Sequence, residues 1–432
     1  MFVEEYSRYT LLSQGNSATW NLDKKTVILV CVLTLPVFIF CATYMTLIGI
    51  YEKILYPDTH TLKEVPQQWL HRALLYNTLS NRDNFTQNLY LNVAQDEMTI
   101  KKYKLVCYYN FPTNADSLQV DDLDPSMCTH MNVGFVQVYN NSIFLDTSEQ
   151  NLLKRLIKLK YSNSELKILL SIGGAGAGNG FPEMVLNHTN RKSFIKSVIY
   201  YVKNYQIDGI DLDWEFPNEN PGTDKNQRMH FTQLLEELRN TINRQPKYNF
   251  LVSVAVASPT NIIENSYDVS YMNDYVDFIN LMSYDYHFYT KVTPFTGINA
   301  PLYASDSEEY YLATLNINYS TNYWHYLGMD RSKIIVGLPT FGHSFTLANS
   351  KNSGLYAPSF GYGKLGSQGF ADYAQICLFL SANHISPVFD MDTKSPYASK
   401  YFEWISFDDP QSLTYKAEYI RDNQLGVLWY IL

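Results

Sequence analysis

The chain has 432 residues, more than most single domains need, with 46% hydrophobic and 17% charged residues. That balance excludes extended disorder over most of the length and leaves material for a large core. The net charge is −9 and no basic cluster is present, which argues against a nucleic-acid partner.

Residues 1–25 read as a short cytosolic tail. From Thr26 to Tyr51 the chain runs TVILVCVLTLPVFIFCATYMTLIGIY without a charge. This length is enough to cross a hydrocarbon core of roughly 30 Å, even with Pro36 inside it. The run is too long for a secretory signal and lacks a clear small-residue cleavage site, so residues 26–51 read as a transmembrane signal-anchor. Lys24 and Lys25 flank its start, and the weak positive bias places the N-terminus in the cytosol. The expectation is a single-pass type II membrane protein with the remainder extracellular or in the secretory lumen. The sequons at Asn84, Asn140, Asn187 and Asn318 all follow the anchor and mark candidate glycosylation sites.

Residues 52–100 are polar, lack a clear period and read as a stem. Of the five cysteines, Cys31 and Cys41 lie in the anchor. Cys107 and Cys128 flank a short polar loop that a disulfide could close in an oxidising compartment. Cys377 has no obvious partner.

From residue 101 onward, short apolar runs alternate with amphipathic stretches. Strands are expected at Lys104–Asn110, His130–Val138, Lys167–Gly173, Gly209–Phe216, Phe250–Ser258, Phe278–Tyr284, Lys333–Pro339 and Leu425–Ile431. Helices are expected at Ser148–Lys160, Arg191–Tyr205, Lys225–Arg244 and Ser307–Leu327. Eight strands alternating with helices point to a (β/α)8 TIM barrel over residues 101–432; an open doubly wound sheet is the alternative on pattern alone. The interval from about 343 to 404, between strands seven and eight, is too long for a structureless loop. It reads as a small α+β insertion.

The fourth strand carries the chemistry. In DGIDLDWEFP, Asp208 to Pro217, the residues Asp211, Asp213 and Glu215 alternate with Leu212 and Trp214. A strand places alternate residues on one face, roughly 7 Å apart. Like charges in a partly dry site cost free energy unless they share protons, and such a cost is tolerated mainly at functional sites. Coupling lets one acid stay protonated near neutral pH while its neighbour stays anionic, as glycosidic cleavage requires. No His lies nearby in sequence to complete a transition-metal set, though an oxygen-only Mg²⁺ or Ca²⁺ site fits the same acids.

DGIDLDWEFP resembles the DGxDxDWExP signature of the family-18 glycoside hydrolases, the chitinases and chitinase-like lectins. LLSIGG (Leu169–Gly174) is similar to that family's SxGG, LMSYDYH (Leu281–His287) to its MxYD, and GLPTFGHSFTLA (Gly337–Ala348) to its seventh strand. The resemblance extends in order over about residues 101–432. It implies retaining, substrate-assisted cleavage of β-1,4-linked N-acetylglucosamine, with no metal or organic cofactor. Glu215 would be the acid/base and Asp213 would steady the acetamido N–H of an oxazolinium ion. Asp211 would tune Asp213, and Tyr284 would bind the acetamido oxygen. Tyr108, Gly174, Met282 and Asp285 fall in the implied substrate-binding set. Trp429 or Tyr430 would floor the sugar subsite. Asp208 and the pair Gly173 and Gly174 read as structural, the glycines permitting close backbone approach. His287 reads as a satisfied loop histidine rather than a ligand.

The chain departs from the family in its aromatic platforms. Ala175 stands where many chitinases carry Trp after SIGG. Phe341 and His343 stand where a hydroxylated aromatic and Arg are common. The loop NFPTNADS lacks Trp, and the sequence ends at Leu432 before a final helix. Lost platforms favour a short site over a long polymer-binding cleft. The expected partner is chitin or N-acetylglucosamine oligosaccharide. The competing functions are a catalytically silent lectin of the same fold and an endo-β-N-acetylglucosaminidase acting on the N-glycan core.

Overall fold

The computed structural model describes residues 103–425, apart from 113–116, 177–179, 220–223, 246 and 248, and the backbone of 427–431. The anchor, the stem and Asn84 lie outside the described residues. Among the described residues, no helix is long and apolar enough to cross a membrane.

The strands in chain order begin with β1 (Lys104–Asn110) and β2 (His130–Val136), followed by a small hairpin of β3 (Val138–Tyr139) and β4 (Ser142–Ile143). Next come β5 (Lys167–Gly173), β6 (Gly209–Asp213), β7 (Leu251–Val256), β8 (Phe278–Leu281) and β9 (Ile334–Leu338). An antiparallel set follows: β10 (Phe341–Leu347), β11 (Ser359–Tyr362), β12 (Phe370–Asp372), β13 (Val388–Asp390), β14 (Ser395–Lys400) and β15 (Glu403–Ser406). The last is β16 (Val427–Ile431). Eight of these form a closed barrel in the order β1-β16-β9-β8-β7-β6-β5-β2, every pairing parallel. The doubly wound alternative is thereby excluded. Strands such as β6 and β9 are buried along their whole length, as parallel strands covered on both faces must be.

Helices Thr147–Ile157, His188–Tyr205 and Gln227–Arg244 lie close to their expected bounds. The first is set by a capping box. Asp146 Oδ1 accepts from the Glu149 amide at 2.9 Å, and Glu149 Oε2 accepts from the Asp146 amide at 2.7 Å. Three expectations are corrected. The strand expected at Phe278–Tyr284 stops at Leu281, where the Ser283 amide turns back onto the Leu281 carbonyl at 2.8 Å. The helix placed at Ser307–Leu327 is only Ile317–Tyr326, because Asn316 caps it through the Tyr319 amide at 2.8 Å. Upstream, the Ser305 amide bonds Glu308 Oε2 at 3.0 Å, spending on a loop a residue assigned to the helix. The fourth barrel strand ends at Asp213 rather than Phe216. Its last bond to β5 runs from the Gly174 amide to Asp213 O at 2.9 Å. Beyond it, Trp214 packs flat on Phe181 with centroids 5.2 Å apart and edge-on to Phe231 at 5.6 Å.

The insertion runs from β10 to β15. It is one sheet in the order β11-β10-β15-β14-β13, with β12 pairing β10. Helix Tyr373–Ala382 covers it through Ile376, which packs with Ala371, Ala398, Ile405 and Phe407. Cys377 on that helix is free and exposed. Cys107 and Cys128 are joined by a disulfide, Cα atoms 6.1 Å apart, tying β1 to the turn before β2.

Candidate active site

The C-terminal ends of the barrel strands deliver the acids. The parallel registers pair Ser171 on β5 and Ser253 on β7 with Asp211 on β6, and Tyr108 on β1 and Asn280 on β8 reach the same carboxylate. Asp211 is fully buried and both its oxygens are saturated. Oδ2 accepts from Tyr108 Oη at 2.9 Å and Ser171 Oγ at 2.7 Å. Oδ1 accepts from Ser253 Oγ at 2.7 Å and Asn280 Nδ2 at 3.0 Å. Burial pushes its pKa above the usual carboxylate range, and these four bonds work against that rise.

Asp213 sits one strand period further out, buried, with Oδ1 lacking a hydrogen-bond partner among the described residues. Burial first, then the nearby Glu215 and Asp211, push its pKa well above the ordinary value. Glu215 follows at the mouth. Burial and the neighbouring Asp285 raise its carboxyl to about 7. An unsatisfied acid and a group poised near neutrality, side by side, are the electrostatic pattern of proton-transfer chemistry.

The loop after β8 supplies Met282, Tyr284 and Asp285. Met282 and Tyr284 pack with Tyr108, Phe135 and Leu169 inside the barrel. Burial and then Asp285 push the Tyr284 hydroxyl well above 10, so it stays a hydrogen-bond donor. Asp285 adopts a left-handed backbone, φ 59°, and His343 Nε2 on β10 donates to its Oδ1 at 2.6 Å. Phe341 meets Tyr284 edge-on at 5.5 Å and stacks on the half-exposed Phe370 at 4.5 Å. Gly173 and Gly174 require their lack of a side chain. A Cβ on Gly173 would lie 2.0 Å from Asp213 O, one on Gly174 2.7 Å from the Phe135 ring, and both have positive φ.

The structure therefore gathers Tyr108, Gly174, Asp211, Asp213, Glu215, Met282, Tyr284 and Asp285 at one end of the barrel. The backbone of β16 places Trp429 beside Val106 and Gly337, and Tyr430 beside Cys107 and Leu338. Their rings lie outside the described side chains. Asp208, by contrast, sits at the opposite end of β6. Its Oδ2 accepts from the Ile168 amide at 2.8 Å and from Lys160 Nζ at 2.7 Å. His287 is buried against Glu308 at 3.3 Å. Asn140 and Asn187 are exposed, on the β3–β4 turn and as a helix cap, while Asn318 is half-buried in the first turn of its helix. Among the described residues no group of three or more acid, His or Cys side chains could hold a metal ion.

Sequence reasoning assigned no role to Ser171, Ser253 or Asn280. A signal was present: each is a single polar residue at an inward position of an otherwise apolar strand.

Residues 104–430 match the family described as Glycosyl hydrolases family 18, and the chain belongs to it. It is similar to human chitinase-3-like protein 2, 35% identical over 345 residues, spanning 76% of this chain and 86% of the relative. It is also 35% identical over 348 residues to mouse chitotriosidase-1, covering 76% and 72%. Among solved structures, human YKL-39, described as a pseudo-chitinase with retained chitooligosaccharide binding properties, matches with TM-score 0.71 and 34% identity over 76% of this chain and 92% of that one. A group IV chitinase from Ostrinia furnacalis, in complex with allosamidin, matches with TM-score 0.71 and 30% identity over 76% and 91%.

Proposed function

We propose that the protein is a retaining glycoside hydrolase that cleaves β-1,4-linked N-acetylglucosamine by substrate-assisted catalysis. The observation that carries this reading is the Glu215 carboxyl, held at about 7 beside the buried pair Asp211 and Asp213. A group with that pKa is half protonated at neutral pH and serves as acid and then as base. Glu215 protonates the glycosidic oxygen as the C–O bond breaks. The carbonyl oxygen of the substrate's own N-acetyl group attacks the anomeric carbon from the opposite face, giving an oxazolinium ion. Asp213, whose Oδ1 has no hydrogen-bond partner among the described residues, accepts the acetamido N–H. Tyr284 donates to the acetamido oxygen and Asp285 binds the sugar. Water then opens the ring, giving its proton to Glu215, and configuration is retained. Asp211, fixed by four donors, stands behind Asp213 and tunes it. Tyr108, Gly174 and Met282, with Trp429 or Tyr430, shape the sugar pocket.

Sugar binding without cleavage is the second reading. The likeness to the pseudo-chitinase YKL-39 favours it, and so does Ala175 where an aromatic platform is common. The full chain and its Glu215→Gln variant are to be incubated with chito-oligosaccharides and an N-glycan core, with products identified by mass. Cleavage by the parent alone supports the hydrolase, and product lengths separate chain-end, internal and N-glycan action. Binding without cleavage by the parent overturns it in favour of the lectin.

The uncharged run 26–51 supports a further part of this reading: a single-pass anchor with the barrel lumenal or extracellular. Protease added to sealed microsomes is expected to spare the barrel; digestion without detergent would refute that topology.

A further inference from the structure

Four segments meet at Asn299, a residue 1% exposed that the reaction scheme does not use. Its Oδ1 accepts from the Asp285 amide at 2.9 Å, and its Nδ2 donates to the Phe341 carbonyl at 3.2 Å. Its own amide donates to Ser406 Oγ at 3.0 Å, and its carbonyl accepts from the Tyr286 amide at 3.1 Å. Every polar atom of the residue is spent. One side chain thus joins the loop after β8 to the first strand of the insertion, and its backbone joins both to β15.

The tie falls where the loop needs holding. Asp285 has φ 59° without being glycine, a conformation that persists only where the surroundings over-determine it. Its amide is fixed by Asn299 and its carboxylate by His343 at 2.6 Å. Asn299 also bonds the carbonyl of Phe341, whose ring abuts Tyr284.

We propose that Asn299 is a positioning residue for the reaction: it locks the loop bearing Tyr284 and Asp285 and so sets the separation between the Asp285 and Glu215 carboxylates. This rests on reading Glu215 as the acid. After burial, Asp285 is the charge that holds Glu215 up. Asp213 at the end of β6, Tyr267 and Tyr284 face Glu215 and are themselves raised by it, and His343 reaches the pair through Asp285. Asp285 is already exposed, so the tie acts on its position: releasing the loop lets the carboxylate move away from Glu215, and distance with screening weakens its hold.

The readout is the titration midpoint of Glu215, followed by carbon-13 NMR of selectively labelled full chain; it requires no turnover. Asn299→Ala is expected to lower the midpoint by about one unit, and to move the upper limb of the kcat/KM pH profile down by the same amount. Asp285→Asn is expected to lower it too, and adding Asn299→Ala to that variant to shift it no further. Ser406→Ala removes only bonds to backbone, those with the Asn299 amide and the Gly297 carbonyl, and is expected to lower Tm without moving the midpoint. If Asn299→Ala lowers only Tm, or shifts the midpoint equally with Asp285→Asn present, the proposal is overturned. Should Asn299→Ala not fold, hydrogen exchange at the Asp285 amide of the unaltered chain decides: protection supports the tie, and exchange at a free-loop rate overturns it. A parent that binds sugar without cleaving it overturns the hydrolase reading and leaves these midpoints to be read.

Discussion

The two ends of β6 treat the same functional group in opposite ways. At the floor of the barrel Asp208 accepts from a backbone amide and from Lys160, with Lys167 Nζ 3.8 Å away. At the mouth, among the described residues, the donors to Asp211 are all neutral, Asp213 Oδ1 has none, and the acids press on one another. The floor places a charge where cations compensate it. The mouth holds charges that the fold alone would not choose. In a barrel of this kind the floor serves stability and the mouth serves chemistry, and the contrast is visible within six residues of one strand.

The sharpest way to break the contrast is Glu215→Gln. Turnover is expected to fall about 10³-fold, the scale of losing a general acid and base. Stability should move the other way. The folded pKa of about 7 lies above the ordinary 4.5, so the folded state holds its proton more tightly than the unfolded chain. The contribution of Glu215 to stability is therefore fully present below pH 4.5 and is lost as pH rises through about 7. Gln does not ionise, so the variant should melt above the parent at pH 8 and level with it at pH 4. Calorimetry at the two pH values checks this; a gap that does not widen with pH would remove the strain argument.

The floor should show the opposite pH sign. Burial, then Lys104 and Lys167, depress His130 from 6.5 to about 4, with Asp208 opposing them. The folded state binds this proton more weakly than the unfolded chain. Stability is then present above pH 6.5 and is lost as pH falls to about 4, by roughly 3 kcal/mol. A His130→Gln variant should lose less stability than the parent over that window, measured by urea midpoints at pH 7 and pH 4.

Asp208→Ala should cost about 2 kcal/mol, since it strands Lys160 and the Ile168 amide in a half-buried setting. Turnover per folded molecule should be unchanged. A comparable loss of kcat at full folding would show that the floor is not merely structural.

Much of this contrast was legible before any coordinates. The alternation in DGIDLDWEFP put Asp211 and Asp213 on one face, and strand β6 keeps both inside the barrel. The same alternation puts Glu215 on that face for a reason that only partly holds, because the strand stops at Asp213 and the next two residues follow the packing of Trp214 on Phe181. Long-range partners were not legible. Ser253 and Asn280 lie 42 and 69 residues from Asp211 in the chain, and only closure of the barrel makes them neighbours. The same holds for Asn299 and His343, which reach Asp285 from 14 and 58 residues away. The helix expected at Ser307–Leu327 starts late because Glu308 is spent on the Ser305 amide upstream and Asn316 caps the chain only before Ile317.

The smallest effect tests whether the layer around Asp211 is tuned as a charge site. Ser253 Oγ donates to Asp211 Oδ1 at 2.7 Å, and of the bonds that favour the ionised form it is the strongest influence. Ser253→Ala removes that bond and leaves the other three donors in place. The loss is expected to be about 1 kcal/mol when Asp211 is ionised. It should be smaller when the acid is protonated, because a neutral carboxyl gains less from the same donor. The Asp211 pKa, already raised by burial, should rise further. Urea midpoints of parent and variant should therefore diverge as pH rises, with the gap wider at pH 8 than at pH 5. An equal gap at both pH values would mean that the hydroxyl is packing against Asp211 rather than stabilising its charge, and the four donors would then be structure rather than tuning.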